Sequence, residues 1–322
     1  MPTILLKILQ LLCTVASGLG KQKKLFILIY HQVLDQPDFM REGEVDKTAF
    51  NWQMALLSKY FNVMPLHEAL EKLANDNLPP RATCITFDDG YANNYTNALP
   101  ILLANKLSAT FFIASGYLDG GRMWNDSVIE SIRIMQSTDL NLTGIGLRNY
   151  DISTPEKKAQ ASLDILQHLK HLLPEIRTQH TGYITSMVKE LPEDLMLTSD
   201  QLVKLHESGM EIGGHTVTHP ILAKLSPNAV RQEVSDNKKH LEQLLNTTLR
   251  FFAYPNGKPD RDYLPDQVQL VKECGYLAAI STQVGLADKQ NDRWQLPRFT
   301  PWDTSPVRFM LRITKMYCLN RL

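Results

Sequence analysis

The chain has 322 residues, with 34 basic and 34 acidic side chains and no long run of either sign. That length is typical of an α/β barrel and ample for a large core, while the charge balance argues against nucleic acid as a main partner. The four cysteines, Cys13, Cys84, Cys274 and Cys318, are scattered without a CxxC pair, which excludes a zinc ribbon or thioredoxin-type motif and gives mild support to a reducing compartment.

The first 24 residues stand apart. Ile4–Leu12 is strongly apolar, but Lys7 and Gln10 interrupt it. A cleaved export signal needs basic charge first and then an unbroken apolar core, so it is the weaker reading. The run is too short to span a bilayer. An amphipathic helix on a membrane or packed on the domain fits at least as well, and Lys21, Lys23 and Lys24 suit contact with anionic lipid. The expected location is cytoplasmic or peripheral on a membrane, with export as the alternative.

From residue 25 onward the pattern alternates. Leu25–Tyr30 reads as a buried strand leading to His31. Helices follow over 48–60 and 66–73. Residues 82–87 read as a strand ending in Asp88-Asp89-Gly90, with Cys84 as a small buried residue; 93–105 reads as a helix and 109–113 as a strand. Residues 121–208 show helical patterns over 124–135, 156–173, 175–190 and 199–208 and no clear strand, so they are expected to be a helical insertion within one domain spanning 25–322. Short strands follow at 210–213, 251–254, 277–280 and 296–299. Helices are expected from Ser226-Pro227 to about Asn246, over 267–274, and from Ser305-Pro306 to the C-terminus. Seven short apolar strands separated by helices predict an α/β fold, a distorted parallel (β/α) barrel.

Chemistry in such folds collects at the C-terminal ends of strands. His31, Asp88-Asp89, His215 with His219, Tyr254–Asn256 and Arg298 all fall there. Two adjacent carboxylates repel unless a cation, a proton or strong donors compensate. As a lone motif they serve equally as a helix cap and turn. The His215-Thr216-Val217-Thr218-His219 spacing lets both imidazoles face one point, and two histidines with a carboxylate form a normal zinc set with a position open for water. A pair of histidines capping a loop is the plainer alternative. A metal would also relieve the repulsion between Asp88 and Asp89.

Thr86-Phe87-Asp88-Asp89-Gly90, followed in order by His215–His219 and by Phe251-Phe252-Ala253-Tyr254-Pro255-Asn256-Gly257, resembles the polysaccharide deacetylases of the NodB-homology type, carbohydrate esterase family 4. Tyr30-His31-Gln32-Val33 is similar to the YHxV start of the branch that includes poly-N-acetylglucosamine deacetylases. The resemblance spans roughly 25–300. It implies that Asp89, His215 and His219 bind a divalent metal, commonly zinc, and that Asp88 is the general base acting on the attacking water. It also implies that the backbone N–H of Asn256 stabilises the oxyanion, while Tyr254 lines the site. The substrate implied is an N-acetylated glycan, polymeric or, as alternatives, lipid-linked or small. A non-catalytic glycan-binding barrel is expected to lose Asp88 or a metal ligand, and all are present. No GxSxG exists for a serine hydrolase.

Three departures qualify the transfer. Many family members carry Arg two places before the third-motif Pro, where this chain has Ala253; Arg298 is the candidate to supply that guanidinium, an ordinary structural salt bridge being the competing reading. The C-terminal Leu-x-His motif that provides a general acid is not visible, and His31 is the candidate replacement, against a buried histidine bonded to backbone. The residue after Pro255 is Asn256, where Tyr or Gly is usual. Trp124, with Asn125 and Asp126, is a candidate for stacking on a sugar face, a core Trp beside a helix cap being the alternative. Trp302-Asp303 is either site rim or packing.

Overall fold

The computed structural model describes residues 2–18 and 23–319; Lys21 lies outside them. Eight parallel strands form one sheet: β1 (Phe26–Tyr30), β2 (Asn62–Val63), β3 (Ala82–Phe87), β4 (Thr110–Ile113), β5 (Glu211–Gly214), β6 (Phe251–Ala253), β7 (Ala278–Val284) and β8 (Leu296–Arg298). Their order is β1-β3-β4-β5-β6-β7-β8, with the short β2 paired to the start of β3. Phe299 returns to β1, its N–H donating to Ile27 O at 2.9 Å and its carbonyl accepting from Ile29 N–H at 3.0 Å, so the sheet nearly closes into a barrel. The seven strands expected from the apolar runs are all present.

Residues alternate between the two faces of each strand, and this period of two sets the architecture. Ile27, Cys84, Phe112, Phe251, Ala253, Ile280 and Leu296 pack inside the barrel, and the helix Leu66–Ala74 plugs one end with Leu66, Ala69, Leu70 and Leu73. Phe26, Leu28, Tyr30, Ile85, Phe87, Phe111, Phe252 and Tyr254 face outward onto the surrounding helices. Stacked rings at Tyr30–Phe87 (5.4 Å) and Phe87–Phe111 (4.6 Å) join three adjacent strands on that outer face.

Apart from unexpected two-residue strands at Val33–Leu34, Val45–Asp46 and Asn62–Val63, the structure differs from the sequence expectation in three places. The segment expected to be one helix over 93–105 is a π-turn, Asn94–Ala98, followed by an α-helix, Leu99–Ala104. Pro100 has no N–H to give to the carbonyl four residues earlier, and Leu99 N–H bonds Asn94 O five residues back, which widens the turn. The insertion contains an antiparallel hairpin, Asp139–Asn141 with Asn149–Asp151, where no strand was expected; three-residue strands are too short for an alternating pattern to register. The helix expected over 175–190 stops at Thr185.

The insertion has its own apolar cluster around Val128, Ile132, Leu140, Ile165, Leu169 and Ile184, which also takes in Met40. It is tied to the loop after β1 by ion pairs. Arg41 meets Asp126 at 2.8 Å and Glu130 at 3.0 Å, and Arg133 meets Asp38 at 2.6 Å. These pairs place the helix Trp124–Ile134 over the site-bearing end of the barrel. The four cysteines are unpaired, and Cys84 is buried in β3 as expected.

Candidate active site

At the C-terminal ends of the strands a cavity of about 580 Å³ opens between the barrel and the insertion. His31, Asp88, Asp89, His215, His219 and Asn256 line it from the barrel side; Trp124, Asn125, Leu166 and Lys170 line it from the insertion. The alternation of β3 and β8 explains the first of these placements. Thr86 and Asp88 continue the inward face of β3, and Arg298 continues that of β8, so the acid and the guanidinium meet inside the barrel mouth.

Asp88 and Arg298 form a two-pronged pair, with Nη1–Oδ1 and Nη2–Oδ2 both at 2.7 Å. Arg298 is further held by Ser281 O, which accepts from Nε at 2.9 Å, and by Thr86 Oγ1 at 3.2 Å. Both residues are buried, at 1 % and 2 % exposure. Burial alone would raise the Asp88 pKa; the Arg298 guanidinium, helped by His215, more than reverses that and holds the carboxyl below its usual range. The guanidinium that Ala253 cannot supply thus comes from β8.

Asp89 turns the other way. It adopts a left-handed backbone (φ 76°), which swings its carboxylate away from Asp88 and toward the histidine loop. Asp89 Oδ1 lies 3.3 Å from His215 Nε2 and 3.3 Å from His219 Nε2. One ligand atom from each of the three residues falls within 4.8 Å of the others. The donor set fits a dication on two further observations. Asp89 Oδ1 is buried and has no hydrogen-bond partner among the described residues, which is costly for an ionised oxygen. His215 Nδ1 donates to Ala253 O at 2.7 Å, which leaves Nε2 as the lone-pair nitrogen facing the gap. Burial pushes the His219 imidazole down to about 4, in the neutral form a ligand needs. Asp89, buried beside two imidazoles, is held well below the ordinary carboxylate range.

The histidine loop is gripped from behind by residues that no motif marks. The helix Pro227–Leu245 presents Glu233 and Asn237, four apart on one face. Glu233 accepts from the backbone N–H groups of Val217 and Thr218, each at 2.8 Å. Buried Asn237 donates to Ile113 O, Ser115 Oγ and Thr216 O and accepts from His215 N–H at 3.2 Å. Gly214 makes this approach possible: a Cβ there would sit 2.6 Å from Asn237 Oδ1. With Asn237 and Glu233 in place, Thr216 (φ 67°) and His219 (φ 52°) are held in left-handed conformations that neither residue favours. The available signal was an Asn on the buried stripe of an otherwise amphipathic helix. Asn237→Ala is expected to cost about 1–3 kcal/mol of stability and to weaken metal affinity about 10–100-fold, as loss of a ligand-orienting partner does; denaturant titration and a metal-binding titration check both.

His31 emerges from β1 on the inward face and stands partly exposed in the cavity, with its side chain 37 % accessible and Nδ1 4.0 Å from Glu44. Its backbone carbonyl accepts from Asn94 Nδ2 at 2.8 Å, and Asn93 and Asn97 hold Val33, so the π-turn clamps the exit of β1. Burial lowers the His31 pKa, but the carboxylates of Asp89, Glu44 and Asp88 outweigh it and the net direction is upward.

Asn256 lies in the loop after β6 with φ 60°. Its carbonyl accepts from Thr282 Oγ1 at 2.6 Å, while its own N–H has no acceptor among the described residues. Tyr254 is not brought to the cavity, contrary to the expectation that it lines the site. The strand period sends it outward, where it stacks on Tyr263 at 3.8 Å and its hydroxyl donates to Trp294 O at 3.0 Å. Trp124 does reach the cavity wall, with the Arg177 guanidinium 5.0 Å from its ring. Asn125 lines it too, whereas Asp126 is buried against Arg41 and the Tyr91 hydroxyl. Trp302 and Asp303 pack with Arg312 of the C-terminal helix instead of forming the rim.

Comparison with known proteins accords with this geometry. A family profile described as polysaccharide deacetylase matches residues 75–279, 205 of the 322. Over 280 residues the chain is 22 % identical to YxkH of Bacillus subtilis (strain 168), whose own name places it among the polysaccharide deacetylases; the match covers 86 % of this chain and 71 % of that one. The fold resembles that of the Streptococcus pyogenes deacetylase PplD solved in complex with acetate (TM-score 0.62, 20 % identity, 91 % of this chain and 99 % of that one). It also resembles IcaB from Ammonifex degensii (TM-score 0.57, 17 % identity, 92 % and 97 % covered). A third similar fold is the de-N-acetylase from Aggregatibacter actinomycetemcomitans (TM-score 0.58, 17 % identity, 90 % and 100 % covered). With the family profile spanning more than half of its length and the Asp-His-His cluster at its barrel mouth, this chain belongs to the polysaccharide deacetylase family of enzymes.

Proposed function

We propose that the chain removes N-acetyl groups from N-acetylhexosamine residues of a glycan, using a divalent cation held by Asp89, His215 and His219. Zinc is the cation that two imidazoles and one carboxylate suit best. When bound, it would supply Lewis acidity and make the attacking water more acidic. The remaining steps fall to the chain itself. Asp88, kept ionised and fixed in orientation by Arg298, accepts the proton of that water; both of its oxygens retain lone pairs beyond those given to the guanidinium. The Asn256 N–H donates to the oxygen that becomes negative as the acetamide carbonyl is attacked. His31 returns a proton to the departing amine, and Trp124 and Asn125 offer a sugar ring an aromatic face and an amide.

The observation that carries this reading is the division of labour between neighbouring acids: Asp88 is oriented by a guanidinium with lone pairs to spare, while Asp89 has an oxygen without a hydrogen-bond partner among the described residues beside two imidazoles. A panel of chitin oligomers, β-1,6-linked N-acetylglucosamine, peptidoglycan fragments and lipid-linked sugars tests it through acetate release. Release from at least one N-acetylhexosamine substrate is expected; none from any of them, with the protein folded and metal-loaded, overturns the substrate class. His31→Gln is expected to lower kcat about a hundredfold to ten-thousandfold with metal content unchanged. Loss of folding in that variant instead would make His31 a structural residue.

A further inference from the structure

The helix Pro2–Gly18 is amphipathic in an unusual sense. Its inner side, with Leu9 and Cys13 buried, packs on the C-terminal helix Pro306–Leu319, where Cys13 Sγ meets Thr314 Oγ1 at 3.2 Å. Its outer side carries Ile4, Leu5, Ile8, Leu11, Leu12 and Val15, spaced at one helical stripe and all exposed, Ile4 at 68 % and Leu11 at 63 %. The stripe runs about 16 Å along the helix. The neighbouring helix adds exposed Leu311 and Leu319. A contiguous outward apolar face of this kind marks an interaction surface.

Charge selects the partner. The chain as a whole is neutral, yet residues 1–34 contain Lys7, Lys21, Lys23 and Lys24 and no acid, and residues 304–322 contain Arg308, Arg312, Lys315 and Arg321 and no acid. Lys7, Arg308 and Lys315 are exposed on the two helices themselves. We propose that this two-helix face docks on an anionic lipid bilayer, the stripe entering the interface and the basic residues meeting the headgroups. A second copy of the chain is the poorer occupant, because a two-fold contact would set the exposed Lys7, Arg308 and Lys315 against their own copies, and the neighbouring acid, Asp303, is already paired with Arg312 at 2.9 Å. Docking would be in the plane of the interface, since among the described residues no helix is long and apolar enough to cross a membrane.

The face is also continuous with the site-bearing end of the barrel. The C-terminal helix starts just beyond the exit of β8 and ends at the entry of β3, where the Tyr317 hydroxyl donates to Ala82 O at 3.2 Å. The N-terminal helix ends at the same place, Ser17 Oγ accepting from Arg81 N–H at 2.8 Å. The two helices therefore run side by side, their starts toward the cavity, and a docked chain would hold its cavity close to the lipid surface.

Flotation with phosphatidylcholine vesicles, with and without phosphatidylglycerol, tests this on the full chain. Binding is expected to the anionic vesicles and to weaken with salt. Each of Ile8→Glu and Leu11→Glu is expected to weaken partitioning about tenfold or more, the worth of burying one such side chain. Each of Lys7→Gln and Lys315→Gln is expected to weaken it about fivefold, on anionic vesicles only. Both kinds of site are exposed, and circular dichroism confirms that the variants fold. Acetate release from soluble oligomers should be unchanged in all four, so failure of docking and failure of the proposed chemistry read out separately. No vesicle binding by wild type overturns the proposal, as does wild-type dimerisation without vesicles that Leu11→Glu abolishes while vesicle binding persists.

Discussion

Asp88→Asn is expected to abolish acetate release, with a loss of about a hundredfold to ten-thousandfold in kcat, while divalent metal remains bound at wild-type stoichiometry. The amide preserves the shape of the carboxylate but cannot accept the proton. Its neighbour Asp89 cannot substitute, because the left-handed turn at 89 points that carboxylate at the two imidazoles and away from Arg298. The substitution also leaves a wholly buried guanidinium without its counter-charge. Breaking such a pair from one side costs about 3–5 kcal/mol, and the amide oxygen, Thr86 Oγ1 and Ser281 O place Asp88→Asn toward the low end. Single-turnover assays, metal analysis and thermal denaturation separate the chemical loss from the structural one. Full activity in Asp88→Asn would remove Asp88 from the role of base.

Arg298→Met is expected to act from the other side of the same pair. It leaves the Asp88 carboxylate buried without its main compensating charge, so the Asp88 pKa rises and the acid limb of the kcat/KM profile moves to higher pH. Stability should fall by about 3–5 kcal/mol at neutral pH. The sign of the pH dependence follows from the depressed pKa of Asp88 in the folded chain. The stabilisation is present above the ordinary carboxylate pKa and is lost as pH falls through the folded value, so the gap between wild type and variant should narrow in acid. The double variant Asp88→Asn/Arg298→Met should recover part of the stability and none of the activity, since the two losses share one interaction. An unshifted acid limb in Arg298→Met would mean that the guanidinium only packs.

Much of this site was legible in the sequence because it follows from period two. Once the seven apolar runs are read as parallel strands, their C-terminal ends collect His31, Asp88, His215 and Arg298, and alternation turns all four inward. The same rule, applied one residue further, turns Tyr254 outward; reading it from its motif position instead of its strand parity misplaces it. What the sequence could not show lies in backbone detail and in polar residues without a motif. Asp89, His219 and Asn256 reach the cavity only through left-handed turns, as does the loop that carries the histidines at Thr216, conformations that non-glycine side chains do not announce. Asn237 and Glu233 look like ordinary helix residues until the loop they hold is placed against them. The π-turn at Asn94–Ala98 and the hairpin in the insertion are each set by a few residues, below the length at which periodicity carries information.

The deacetylation proposed for this barrel mouth depends on a divalent metal held by Asp89, His215 and His219. Its most direct test is acetate release from N-acetylglucosamine oligomers by protein stripped with a chelator and then reloaded with zinc, alongside His215→Ala/His219→Ala. The expected result is about one divalent ion per wild-type chain, as the one three-ligand cluster among the described residues implies, with release lost on stripping, restored on reloading, and absent from the double variant. Undiminished release from stripped but folded wild type would mean that the chemistry needs no metal at this cluster.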